Sequence, residues 1–413
     1  MSTAPAPDLP AILGGRPAFP EGLPLARPSV PDIEAVVEDV RAILPTGMFT
    51  NGKYVRELEE RAAAYLGVRH CVAVSSCTAG LMLVLRASEL TGEVVVPSFT
   101  FAATAHAVAW NGLRPVFADI DPRTLTLAPE AVERAVGTRT SAVLATHVYG
   151  TPADVEGLTD LARRRGIRLF FDAAHGFGSL HGGRHVGGFG DAEVFSLSPS
   201  KLLVAGEGGL VATGDDILAE RIRIGRDYGN PGDYDMRFVG LNARMSEFHA
   251  AIALAYLDGL EERIERRNAI AAAYREALAA IPGISFPQVP AGDRSTYKDH
   301  TILVDPEAFG MDAEALGRAL GAEGADTRRY YAPPVHVHQA YRHLNGAHPL
   351  PVTEATAERV LTLPMWSDMS DEQVRVLGEA VRRIHLAQAG GTLRSASAEK
   401  IRRTGDTSSD AGP

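Results

Sequence analysis

The 413-residue sequence predicts an α/β protein: a large domain with a mostly parallel central sheet covered by helices, and a smaller C-terminal α+β domain. Three observations lead there. Short apolar runs (EVVVPSF, RPVFADI, AVLATHVYG, IRLFFDAAH, AEVFSLS and GGLVAT) have the length and composition of buried strands, each closed by small or polar residues. Helical patterns such as TAGLMLVLRASEL, PEAVERAV and DVEGLTDLARRRG lie between several of them. Strands that alternate with helices pair in parallel and are covered on both faces. After about residue 255 the pattern changes to long helices with a single strand between them.

Taken from the N-terminus, residues 1–27 are expected to be partly irregular, because Pro5, Pro7, Pro10, Pro17 and Pro20 interrupt any regular element. The large domain is expected over 28–258. The small domain is expected over 259–387. It opens on the linking helix EERIERRNAIAAAYREALAAI, runs through the strand YKDHTILV and the helix DAEALGRALGAEG, and closes on SDEQVRVLGEAVRRIHLAQ. The tail 388–413 is polar, offers little to bury and is expected to be disordered.

Composition narrows the chemistry. Hydrophobic residues make up 45% and charged residues 22%, the balance of an ordinary globular protein. A net charge of −10 gives no electrostatic reason to expect nucleic acid or an anionic membrane as partner, so an anionic ligand needs a local positive site. Cys71 and Cys77 are too few for a disulfide scaffold or a Cys₄ metal site, which fits a reducing cytosol. The N-terminus lacks a basic region followed by a long apolar one, and no run reaches the ~20 apolar residues of a membrane span. The protein is therefore expected in the cytoplasm.

Catalytic groups of a parallel sheet collect at the carboxyl ends of its strands, which gives residues there extra weight. Lys201 follows the strand AEVFSLS and is flanked by Leu202, Leu203 and Val204. At an ordinary pKa near 10.4 only ~0.04% of an amine is free at pH 7, and burial lowers that pKa, making the lysine a competent nucleophile toward an aldehyde. A lone lysine of this kind is more often a surface lysine in a loop, so this one needs partners. Asp172 ends the apolar strand IRLFFD, where a carboxylate can hold the proton on the ring nitrogen of pyridoxal phosphate (PLP); a helix cap or a metal ligand is the competing reading. VAVSSCTAG runs through Ser75, Ser76, Cys77 and Thr78 into a helix, so its hydroxyls and free N–H groups form either an anion site or an ordinary helix cap. Ser196 can add a hydroxyl. Phe99 and Phe101 share one side of an extended segment, where one can stack on a flat ring or both can serve the core. His336 and His338 have no further ligands at zinc-site spacing, so no metal is expected.

The order of the pieces resembles the DegT/DnrJ/EryC1/StrS family of PLP-dependent nucleotide-sugar aminotransferases, of fold type I. The resemblance runs from about residue 28 to 386 and rests on SSCTAG, PSFTF, FFDAAHGFG, SLSPSK–GEGG and GLNARMSE, supported by TGMFTNGKYVRELE, HVYGTPADV and RRYYAPPVH. It implies that Lys201 carries PLP as a Schiff base and moves protons, that Asp172 pairs with the ring nitrogen, and that His175 lies beside the ring. Phe101 would stack on the ring, and Thr78, the Ala79 backbone and Ser196 would hold the phosphate. Asn242 would reach that phosphate from a second subunit, so a homodimer with shared sites is implied. Phe49, Tyr331 and His336 are the expected substrate contacts, with Arg328 or Arg329 placed to meet a diphosphate. The family's pattern often has glycine where this chain has Cys77, which leaves the backbone donors available.

The activity implied is transfer of an amino group from glutamate or glutamine to a keto sugar, most often a nucleotide-linked 4-keto-6-deoxyhexose. Keto-cyclitol or 3-keto-sugar amination is the alternative. Non-aminating sugar dehydratases of this fold carry histidine in place of the lysine, and regulators need an added domain. A nicotinamide oxidoreductase would need G-x-G-x-x-G between strand and helix, which the sequence lacks.

Overall fold

Seven strands line up in one sheet: β1 (His70–Val74), β2 (Glu93–Pro97), β3 (Arg114–Ala118), β4 (Thr140–Thr146), β5 (Arg168–Asp172), β8 (Ala192–Ser196) and β9 (Gly209–Thr213). A short hairpin, β6 (Leu180–His181) with β7 (Arg184–His185), interrupts the count. The computed structural model describes residues 9–344 and 348–390. The strand order is β1-β9-β8-β5-β4-β2-β3, with β9 antiparallel to both neighbours and the rest parallel. All six apolar runs read as strands are strands of this sheet. GGLVAT runs against the others, a direction that an all-apolar run does not encode.

Side chains alternate between the two faces as strand geometry requires. Val72, Val94, Val96, Leu144, Phe170 and Val194 face helices α3 (Cys77–Ala87) and α4 (Ala103–Trp110) and α7 (Asp216–Gly225). On the opposite face Val95, Val143, Leu169 and Phe171 meet α5 (Pro129–Ala135) and α6 (Val155–Arg165), while Cys71, Ala73, Phe195 and Leu210 meet α2 (Lys53–Leu66) and α8 (Glu247–Leu257). The helix α1 (Ile33–Ile43) lies against α8.

The long helix α9 (Leu260–Leu278) leads into a three-stranded antiparallel sheet, β10 (Ile284–Ser285), β11 (His300–Val304) and β12 (Val360–Leu363). The short α10 (Pro306–Phe309), then α11 (Ala313–Ala322), α12 (Pro351–Arg359) and α13 (Asp371–Ala389) complete this region, whose core holds Tyr274, Ile302, Leu316, Leu361 and Leu377.

Contacts cross two of the expected boundaries. Residues 9–25 are docked on the small domain: Ala11 and Ala18 donate N–H to Glu323 Oε1 and Oε2 at 2.8 and 3.0 Å, and Leu23 is buried beside Ala325. The prolines set an extended course, and a buried carboxylate satisfies the backbone along it. Within 259–387, Val335, Tyr341 and Leu350 join the core of the large domain, and Thr353 donates to Asp119. The chain thus returns to the large domain before forming β12. Of the tail, residues 391–413 lie outside the described residues.

Candidate active site

The carboxyl ends of β2, β4, β5 and β8 open on one side of the sheet, where β1 also hands over to α3. A cavity of about 330 Å³ lies there, lined among others by Thr78, Phe101, Asp172, His175, Ser196, Lys201 and Tyr331. Seven residues chosen from sequence therefore converge on one space.

Asp172 forms its floor. Its Oδ2 accepts from Thr104 Oγ1 at 2.7 Å and its Oδ1 from the Ala174 N–H at 3.1 Å. Thr104 is itself tied through Thr100 to Thr146, at 2.9 and 3.1 Å. Burial pushes the Asp172 carboxyl above its ordinary value, and the Thr104 hydroxyl and Ala174 N–H pull the other way. A positive partner in the cavity would restore the anion.

Lys201 lies behind buried Leu202, Leu203 and Val204. Burial, reinforced by the nearby Lys298, lowers its amine from an ordinary 10.5 to about 8. A substantial fraction of the nucleophile is thus unprotonated near neutral pH. His175 is held neutral, its pKa well below the ordinary value through burial and the two lysines, and its Nδ1 has no hydrogen-bond partner among the described residues.

The turn into α3 supplies the anion site. Ser76 Oγ caps the helix by accepting the Ala79 N–H at 3.1 Å. The Ala79 N–H thus faces the Ser76 hydroxyl, and among the described residues the Cys77 and Thr78 N–H groups meet no acceptor in the protein. The turn rests on β9, where a Cβ at Gly209 would come within 2.7 Å of the Cys77 nitrogen, so only glycine allows the approach. The Cys77 side chain is buried, with Sγ 3.9 Å from Asp172 Oδ1. Ser196 Oγ reaches Ser198 Oγ at 3.3 Å across the same wall.

The two phenylalanines part company. Phe99 is fully buried, edge-on to Tyr149 and Tyr331, whereas Phe101 is 64% exposed and lines the cavity. Strand β2 ends at Pro97, so the two-residue alternation assumed for this pair does not extend to Phe101.

Other expected contacts lie elsewhere. His336 is fully buried away from the cavity, its Nδ1 2.6 Å from Ser98 Oγ and its backbone N–H also bonded to that oxygen; packing of the returning chain on the large domain claims it. His338 Nε2 turns to Pro333 O at 3.1 Å. Arg329 donates to the Ala357 and Glu358 carbonyls and points to the small domain, and Arg328 is exposed with a local bond to Thr327 O. Phe49 and Asn242 are exposed on a neighbouring rim, where the Thr50–Ser246 bridge joins their segments. Neither lines the cavity within this chain.

Thr104, Ser198, Lys298 and Asp299 were not expected from the sequence. A lysine in a chain so short of lysine was the available signal for Lys298.

Known proteins share this arrangement of the chain. The model of the DegT/DnrJ/EryC1/StrS aminotransferase family matches residues 32–382. The UDP-N-acetyl-3-dehydro-alpha-D-glucosamine 3-aminotransferase of Acidithiobacillus ferrooxidans is 36% identical over 353 residues, covering 85% of this chain and 94% of its own. The dTDP-4-amino-4,6-dideoxy-D-glucose transaminase of Escherichia coli is 32% identical over 356 residues, covering 85% and 96%. The solved structure of DesI in the presence of its TDP-sugar product superposes with a TM-score of 0.88 at 41% identity, over 95% of this chain and 99% of that one.

Proposed function

The chain belongs to the DegT/DnrJ/EryC1/StrS aminotransferase family, and from that premise we propose that it moves an amino group from glutamate or glutamine to a nucleotide-linked 4-keto-6-deoxyhexose. It is a PLP-dependent aminotransferase of fold type I. The observation that carries the reading is the convergence on one cavity of a buried Lys201 with its pKa lowered to about 8, a buried Asp172 and the N-terminal N–H groups of a helix.

The residues fit PLP. Asp172 has a carboxylate in need of a positive partner, His175 an unpartnered ring nitrogen, and Cys77 and Thr78 free N–H groups for a phosphate. When bound, PLP supplies an electron sink for the carbon that exchanges its amino group. Lys201 Nζ would hold the cofactor through its aldehyde carbon and would move the proton at the donor's α-carbon. Asp172, oriented by Thr104, would keep a proton on the pyridine nitrogen. The Thr78 and Ser196 hydroxyls would join the N–H groups in holding the phosphate, and Phe101 and His175 would line the space for the ring.

A second copy of the chain completes the site. Met48 and Phe49, together with Trp110 and Val239, are large apolar side chains left exposed on one chain, at 57%, 45%, 77% and 75%. Covering them in a homodimer brings Asn242 toward the partner's phosphate site and Phe49 toward its substrate. Tyr331 provides the wall of the sugar site within the chain. The reaction takes place in the cytoplasm, in line with two free, buried cysteines.

The 4-keto-6-deoxyhexose is favoured by the names of the similar Escherichia coli transaminase and of DesI with its TDP-sugar. Acceptor kinetics test it. Removing the nucleotide should cut kcat/KM at least ~10²-fold, because remote binding energy is lost. Free keto sugars or keto-cyclitols reacting equally well would refute the nucleotide part, and a 3-keto sugar nucleotide reacting best would move the site of amination.

A further inference from the structure

Opposite Lys201 the cavity carries a second lysine that the reading above does not use. Lys298 is buried, and its Nζ lies 2.7 Å from Asp299 Oδ1, also buried. Its backbone is held on both sides: Lys298 N–H donates to Tyr149 O at 2.9 Å, and Lys298 O accepts from Arg267 Nη1 at 3.1 Å. The ammonium sits over the Tyr330 ring, 5.6 Å from its centroid. Asp299 Oδ2 has no hydrogen-bond partner among the described residues.

A buried ion pair is a poor device for stability, because desolvating two charges offsets their attraction. Its place in a reaction cavity calls for another reason. Charge supplies one. Among the described residues lining the cavity the cations are Lys201 and Lys298; the anions are Asp172, Glu207 and Asp299, and His175 is neutral. Lys201 would be committed to the cofactor's carbonyl carbon and could not also serve as an ammonium for a substrate. Lys298 is then the remaining free ammonium among the described residues lining the cavity. An ammonium has three N–H donors, and among the described residues only Asp299 takes one. Every α-amino acid donor brings a carboxylate one carbon away from the amine that must replace Lys201.

We propose that Lys298 is the anchor for the α-carboxylate of the amino-acid donor, with Asp299 as the counter-ion that keeps the ammonium in place between turnovers. The inference rests on the aminotransferase reading. The unpartnered Asp299 Oδ2 then serves the second half of the cycle, when a sugar ring with hydroxyl donors takes the donor's place. One ion pair thereby meets an anion in one half-reaction and a neutral polyol in the other.

The test uses the PLP-loaded dimer and follows the cofactor's visible absorption, with no acceptor present, during titration with L-glutamate and with a primary alkylamine. Lys298→Met should raise the glutamate concentration for half-conversion roughly 10- to 100-fold, the worth of a charge-assisted hydrogen bond. It should leave the alkylamine response unchanged within about threefold, since that ligand has no carboxylate to anchor. Asp299→Asn removes the competitor for the ammonium and should keep or tighten the glutamate response. Glutamate titrating Lys298→Met as it does wild type, equal weakening of both ligands, or a similar loss in Asp299→Asn would each overturn the assignment. A wild-type cofactor band unmoved by any α-amino acid would instead overturn the aminotransferase reading itself.

Discussion

At the floor of the cavity both oxygens of Asp172 are claimed inside one chain, by Thr104 and Ala174, while at the rim Asn242 and Phe49 stand exposed and outside the lining of that cavity. The floor is drawn from neighbouring strand ends, β2, β4, β5 and β8, that the parallel sheet brings side by side. The rim is drawn from loops around residues 48–51 and 242–247, joined by the Thr50–Ser246 bridge and by backbone bonds from Asn51 to Met245 and from Glu247 to Phe49. The difference separates two tasks. On the proposed reading the floor grips the cofactor from within one chain, and the rim serves the site of a second copy.

The largest effect should come from the floor. Asp172→Asn removes the anion that keeps the ring nitrogen protonated, and should lower kcat on the order of 10³-fold. Covalent PLP binding should survive, because Lys201 is untouched. Loss of PLP binding with kcat per bound cofactor unchanged would show that Asp172 only braces the fold.

A smaller effect reads the floor's electrostatics. The buried Lys201 amine titrates near 8, below its ordinary value, so its reactive neutral form grows as pH rises toward 8 and levels off above. Uptake of PLP by the cofactor-free protein should therefore accelerate about tenfold from pH 6 to 7 and flatten beyond pH 8. A rate that keeps climbing to pH 10 would mean that the lysine is not desolvated.

The rim gives the most modest change. Lys201→Ala and Asn242→Ala chains, each impaired alone, should recover about one quarter of wild-type activity when mixed equally and allowed to exchange subunits. Half of the dimers are then mixed, with one intact site in two. No recovery despite demonstrated exchange, or a fully active monomer, would place Asn242 in its own chain's site.

The same contrast marks what was legible in the sequence. Strand ends announce themselves, so Asp172, Lys201 and the Ser76–Thr78 turn were readable from apolar runs that stop at polar residues. The direction of β9 was not, because GGLVAT is apolar in either orientation. YKDHTILV was read as a strand from its first residue, whereas β11 begins at His300, after Tyr297 at a positive φ of 44°, and this turns Lys298 and Asp299 into the cavity. His336 looked like a substrate contact because nothing in VHVHQ says which residue will meet Ser98 from a distant strand end. The docking of residues 9–25 could not be read, because their partner, Glu323, lies some three hundred positions away. What escaped was long-range placement, and what could be read was local.

The account turns on Lys201 as the residue that holds the cofactor. Borohydride reduction of the PLP-loaded protein, followed by peptide mapping, tests it directly. The account predicts a reduced phosphopyridoxyl group on the peptide containing Lys201, and a Lys201→Ala protein that binds PLP without taking up the label. A label on Lys298 or Lys53, or none on the wild type, would contradict it.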